Sequence, residues 1–140
     1  MSNILVNQLT GNTTDTTIDV FAGHAADSTT RTNLEQGLAK VWVNYDCAST
    51  TPRDSFNVAS LTDNGTGHFT TTFTNDMNND DYSIPTSSND VNASATVYNL
   101  DPHTYAAGSV QCDSFQSNAN GVVGQLDSNH NHLAIFGELA

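Results

Sequence analysis

Residues 37–73 read GLAKVWVNYDCASTTPRDSFNVASLTDNGTGHFTTTF. Val41, Val43 and Tyr45 alternate with Lys40, Trp42 and Asn44. A period of two sends successive side chains to opposite faces, so this is a strand. Cys47 to Pro52 is small and polar, and Pro52 cannot donate to a ladder, so a turn follows. Phe56 and Val58 resume the alternation. Asp63-Asn64-Gly65-Thr66-Gly67 then offers the residues that tolerate positive φ, and marks a hairpin turn. Phe69 and Phe73, spaced by threonines, complete a third strand with one apolar and one half-wet face. Phe56, Val58, Phe69 and Phe73 are the expected core, with Val41 and Val43; Trp42, mid-strand between two valines, is also expected to be buried.

The same pattern continues outward. Tyr82 to Pro85, Ala93 to Asn99, Ala107 to Phe115, Val122 to Leu126 and His130 to Leu139 read as further short strands. In the strand 107–115, Val110 and Cys112 share one face and Phe115 takes the other; in the last, Leu133 and Ile135 point inward. Thr86 to Asn92 reads as a polar loop, and Asp101-Pro102-His103 as a break. Many short strands with polar turns indicate an all-β fold, a compact antiparallel β-sandwich of jelly-roll-like form. Before it, Ile4, Val6 and Leu9, then Ile18, Val20 and Phe21, are short apolar pieces in polar sequence. They suit either a hairpin on the main sheet or an extended attachment arm, and the arm is the expectation adopted. Ser28 to Gly37 is the one short helix expected, with Thr32 and Glu35 at capping-box spacing and Gly37 as its stop. The expected organisation is an arm and helical linker at 1–33 and a sandwich at 34–140.

Composition narrows the partners. Three basic residues against fifteen acidic ones give a net charge of −12. Phosphate neutralisation needs Lys and Arg, so nucleic acid is not an expected partner, nor is an anionic membrane surface. No apolar run approaches the ~20 residues of a membrane span, and no basic segment precedes the first apolar residues as a signal peptide requires. Cys47 and Cys112 are two cysteines, not a disulfide framework, and two separate buried thiols are the expectation over a bridge.

GLAKVWVNY, RDSFNVASLTDNGTGHFTTTFTNDM and DYSIP together resemble a module of tail-fibre and related virion proteins of marine and freshwater bacteriophages. The resemblance covers Leu34 to about Pro85, and the final IFGELA is similar to the ends of such chains. Where that pattern has Gly-rich turns, this chain has Asp46-Cys47-Ala48. The resemblance implies a non-enzymatic structural protein on the virion surface, a fibre-like attachment or host-binding module, with a homotrimer and other virion proteins as partners and a host-surface glycan as a possible ligand. A capsid decoration protein is the near alternative, because no heptad, collagen-like or repeat shaft is present. A carbohydrate-binding module is the distant one.

Candidate chemistry is sparse. No Gly-x-Ser-x-Gly elbow marks a nucleophile, and no catalytic residue is expected. Asp76 to Asp81 begins like a calcium loop, but Asp81 replaces the required glycine and Ser87 the closing glutamate. Tyr98 and Tyr105 flank a loop and are the surface aromatics best suited to a receptor sugar, over Trp42, Tyr45 and Tyr82. His130 and His132, two apart on a strand, project from one face together with Ala134 and Phe136. Two imidazoles are too few for a structural zinc site; on a threefold axis six nitrogens would suit octahedral iron or nickel, whereas on an outward face the pair is solvated and binds nothing firmly, and that is the expectation adopted. No cofactor is otherwise expected. The sequons at Asn12, Asn64 and Asn92 are those a chain rich in Asn and Thr has by chance.

Overall fold

A computed structural model describes residues 19–21, 31–33, 37–90, 97–117, 120–121 and 123–140. The chain divides into two compact units, Met1–Leu38 and Ala39–Ala140. In the first, β1 (Asp19–Phe21) pairs antiparallel with β2 (Arg31–Asn33), Val20 opposite Thr32. Thr32 is therefore a strand residue and not the cap of a helix from Ser28 to Gly37. A capping box satisfies two backbone donors of an isolated turn, whereas pairing with Asp19–Phe21 gives Arg31–Asn33 a ladder partner. Val20 and Phe21 of the expected arm lie in β1; Ile4, Val6, Leu9 and Ile18 lie outside the described residues, as do Glu35, Asn12 and Asn92.

The second unit is an antiparallel β-sandwich. One sheet has the order β4-β3-β11-β7, from β3 (Val41–Tyr45), β4 (Asp54–Phe56), β7 (Thr86–Asn89) and β11 (His130–Ile135). The other is built on β5 (Val58–Gly65), β6 (His68–Phe73), β8 (Val97–Ala106), β9 (Ser109–Ser117) and β10 (Val123–Gln125). In it β9 is central: β8 lies along one edge, while β6 and then β10 share the other. Alternation fills the space between the sheets. Val41, Val43, Tyr45, Leu133 and Ile135 come from one side, and Leu61, Phe69, Phe73, Leu100, Val110 and Cys112 from the other. Tyr45 and Phe69 meet across the core with ring centroids 5.3 Å apart. Both cysteines are buried free thiols.

Several boundaries differ from the expected ones: the strand expected at His130 to Leu139 ends at Ile135, with Phe136 and Leu139 only in isolated bridges. The polar stretch 86–89 is strand β7, held against β11 with Thr86 opposite Leu133 and Ser88 opposite Asn131. Its short side chains carry no apolar signal, yet Ser88 reaches the buried Asn131 Oδ1 at 2.8 Å. The Tyr82–Pro85 segment is not a regular strand: it makes the isolated bridge Ser83↔Phe136, and the Pro85 carbonyl accepts from the Ala134 N–H at 3.1 Å. Asp101-Pro102-His103 does not break the chain; β8 runs through it with a bulge between Pro102 and Thr104. A bulge and an edge position are the places where a strand accommodates proline, whose nitrogen donates nothing.

Phe56 and Trp42 also differ from expectation. Phe56 is 53% exposed, and Trp42 is only half-buried. They are cross-strand partners on the outer face of the four-stranded sheet. The cause is Asn57. Its backbone is left-handed, φ 58°, between β4 in one sheet and β5 in the other. The turn in the chain resets the alternation, so Phe56 and Val58 do not share a face as period-two counting requires.

Candidate functional site

Among the described residues, two places on the sandwich carry chemistry, one on the outer face of each sheet. The first is a groove of about 490 Å³ on the four-stranded sheet. Its lining includes Trp42, Asn44, Asp54, Pro85, Ser87 and His132. The register explains the set: Asn44 lies opposite both Asp54 and His132, and His132 opposite Ser87. Four neighbouring strands thus place an acid, an amide, an imidazole and a hydroxyl in one transverse row. Trp42, opposite Phe56 and Ala134, supplies the adjoining aromatic row. Among the described residues, Asn44 Oδ1 has no hydrogen-bond partner.

The second place is on the five-stranded sheet. His68 at the start of β6 lies opposite Asp113 of β9, and Asp113 opposite Asp101 of β8. His68 Nδ1 contacts Asp113 Oδ1, and His103 Nε2 lies 3.1 Å from the same oxygen. The far nitrogens are also engaged: His68 Nε2 with the Gln125 side-chain amide at 2.8 Å, His103 Nδ1 with Thr104 Oγ1 at 2.9 Å. Two local devices build this. Gly67 has φ +72°, and a Cβ there would lie 2.7 Å from the Ser114 carbonyl oxygen, so the turn before His68 admits only glycine. The Gly67 N–H donates to Asp127 Oδ1 at 2.7 Å, fixing the approach to His68. On the other flank the β8 bulge leaves His103 unpaired and turns it towards Asp113.

The residues singled out in the sequence are distributed differently. His130 and His132 share the outer face of β11, opposite the buried Leu133 and Ile135 side. His130 Nδ1 is 2.9 Å from Asn129 Oδ1, and His132 belongs to the groove. Tyr98 and Tyr105 lie in one strand, seven residues apart, which separates them by about 20 Å along an extended chain. They are not brought together. Tyr105 packs on Tyr82 at 5.7 Å between ring centroids, and its hydroxyl donates to the Pro102 carbonyl at 3.2 Å. The His68–Asp113–His103 cluster was not legible, because its members are 35 and 10 residues apart in a chain with many Asp residues. The groove was missed because it needs the cross-strand register of four strands.

The buried thiols are chemically quiet. Burial pushes Cys47 up from the ordinary 9.0 to about 11, and Cys112 to about 12, the latter aided by Asp113 and Asp101. Neither is a thiolate near neutral pH, so neither is an activated nucleophile. Among the described residues no helix is long and apolar enough to cross a membrane.

Comparison of the chain with protein-family models, with curated proteins and with solved structures finds no match.

Proposed function

We propose that the chain is a non-enzymatic bacteriophage virion protein, displayed on the particle as a fibre-like attachment module that engages a host-surface sugar. The reading starts from the resemblance of Leu34 to Pro85 to tail-fibre modules. The observation that carries its ligand is the groove around Trp42. An indole face beside Asp54, Asn44, Ser87 and His132 offers what a pyranose needs: a flat apolar surface and directed polar partners for hydroxyls. The tyrosines 98 and 105 serve less well, since they stand far apart on one strand. The reading also carries a homotrimer, with attachment to neighbouring virion proteins through the arm at residues 1–33.

Trp42 is the only tryptophan of the chain, so its fluorescence reports on the groove alone. Glycans that bind on an array are expected to shift or quench that emission on titration. Asp54→Ala is expected to weaken binding at least tenfold without changing the circular dichroism spectrum. Glycan binding that leaves the emission unmoved and survives Asp54→Ala would place the receptor site elsewhere. Antibodies raised against the purified chain are expected to label intact phage particles, and failure to label them would overturn the virion reading itself.

A further inference from the structure

We propose that His68, His103 and Asp113 form a binding site for one divalent transition-metal ion of the zinc class. Donors from three adjacent strands, β6, β8 and β9, converge there on the outer face of one sheet. One ligand atom from each residue lies within 4.8 Å of the others. The 3.1 Å between His103 Nε2 and Asp113 Oδ1 is close to the edge of a zinc tetrahedron, about 3.3 Å for ligands at ~2.0–2.1 Å. Two imidazoles and one carboxylate form a donor set that zinc, cobalt and nickel all accept.

The surroundings can serve either a cation or a hydrogen-bonded trio. Each imidazole turns one nitrogen to the shared carboxylate oxygen and has a partner on the other. As the side chains stand, the Gln125 amide nitrogen donates to His68 Nε2; turning that amide over would let its oxygen accept from an Nε2–H, with Thr104 Oγ1 accepting from His103 Nδ1–H, and both remaining lone pairs would then face the metal position. That is the supporting arrangement metal-bound histidines have. Without metal, His68 Nε2 accepts from Gln125 and its Nδ1–H donates to Asp113. The charge decides between the two arrangements in a solution containing metal. Asp113 is only 16% exposed on its side chain, and Asp101 stands directly across from it. A dication at the carboxylate offsets the two negative charges of this pair. The rigid part of the site is the Gly67 turn and the β8 bulge, both backbone features in place before metal arrives. Three protein ligands leave a fourth position for water on the solvent side, since His103 is exposed. The bound ion would tie the edge strand β8 to β9 and β6. This site is separate from the groove and does not depend on the virion reading.

The test uses the full chain, freed of metal by chelation, and titrated calorimetrically with zinc at neutral pH. One ion per chain with micromolar or tighter affinity is expected, with a rise in the unfolding temperature. Cobalt should give the visible bands of a low-coordinate nitrogen–oxygen site. Asp113→Asn and His103→Ala should each weaken zinc binding by ~100-fold, and Gln125→Ala by ~10-fold. The His130→Ala/His132→Ala double variant should bind as the parent does. Because Asp113 is mostly buried, ring-carbon shifts of His68 and His103 on adding zinc to the unaltered chain give a readout independent of any variant's folding. Absence of stoichiometric binding, ring shifts confined to His130 and His132, or full affinity in His103→Ala would each overturn the site.

Discussion

Asn57 shows how much one residue decides. It is the non-glycine residue with positive φ among those described, and it sits where the chain leaves one sheet for the other. Asn tolerates this conformation better than other non-glycine residues because its short amide bonds locally. Here the amide also holds the corner: Nδ2 donates to the carbonyls of Lys40 at 3.1 Å and Asn75 at 3.0 Å, while Oδ1 accepts from the Asn75 N–H at 2.8 Å. Asn57→Ala loses these bonds, together with the one Asn75 Nδ2 donates to Oδ1 at 3.0 Å, and adds left-handed strain, so a loss of ~2–4 kcal/mol is expected in chemical denaturation. Asn57→Gly keeps the backbone freedom and loses only the bonds, so it should cost less than the alanine variant. Equal losses would mean that the conformation contributes nothing. The sequence holds a hint of this in Phe56-Asn57-Val58, but a lone Asn inside an alternating run reads as an ordinary outward residue.

At the scale of elements, register decides what each aromatic does. Phe73 is 4% exposed and packs edge-on against Tyr82 at 6.2 Å, whereas Phe56 lies on the outer face. Phe73→Ala should therefore cost ~3–5 kcal/mol, the range for truncating a buried phenylalanine. Phe56→Ala should cost about 1 kcal/mol or less, the worth of its cross-strand contact with Trp42. Comparable losses, measured by urea titration of both variants, would mean that β4 is registered differently against β3. The same logic separates readable strands from unreadable ones. β3, β6, β9 and β11 alternate apolar and polar residues and were legible. β7 is Thr-Ser-Ser-Asn and was not, because its inward residues bind a buried polar group instead of filling an apolar layer. That group is Asn131, wholly buried, which accepts from Ser88 and Ser128 and donates to the Ser128 carbonyl at 2.8 Å. Ser114 joins through Ser128 at 2.6 Å, so the network links β9 of one sheet to β7 and β11 of the other.

For the molecule as a whole, the buried acids make stability depend on alkali. Cys47 and Cys112 rise from 9.0 to about 11 and about 12, and Tyr82 from 10.0 to about 12, in each case chiefly through burial. Tyr45 moves far upward for the same reason. A group raised on folding holds its proton in the native state after the unfolded chain has lost it. Its contribution is complete below the unfolded value and is lost as pH climbs from there through the folded value. The unfolding temperature should therefore hold between pH 7 and 8.5 and fall steadily from pH 9 to 11. The Cys47→Ala/Cys112→Val variant should fall less steeply over the same interval. Parallel curves for variant and parent, by scanning calorimetry, would show that the thiols do not set the alkaline limit.

The sequence by itself determined the all-β class, the antiparallel sandwich and the inward faces of β3, β6, β9 and β11. Each follows from local alternation and turn residues, which are properties of neighbours in the chain. Only the tertiary structure decided that Phe56 faces out, that 86–89 is a strand, and that β8 passes through Pro102. It alone gathered Trp42, Asp54 and His132 into a groove, and His68, His103 and Asp113 into a cluster. Those outcomes depend on which strands lie side by side and in what register. Register is fixed by packing between sheets and by Asn57 and Gly67 turning the chain, terms that no window along one strand contains.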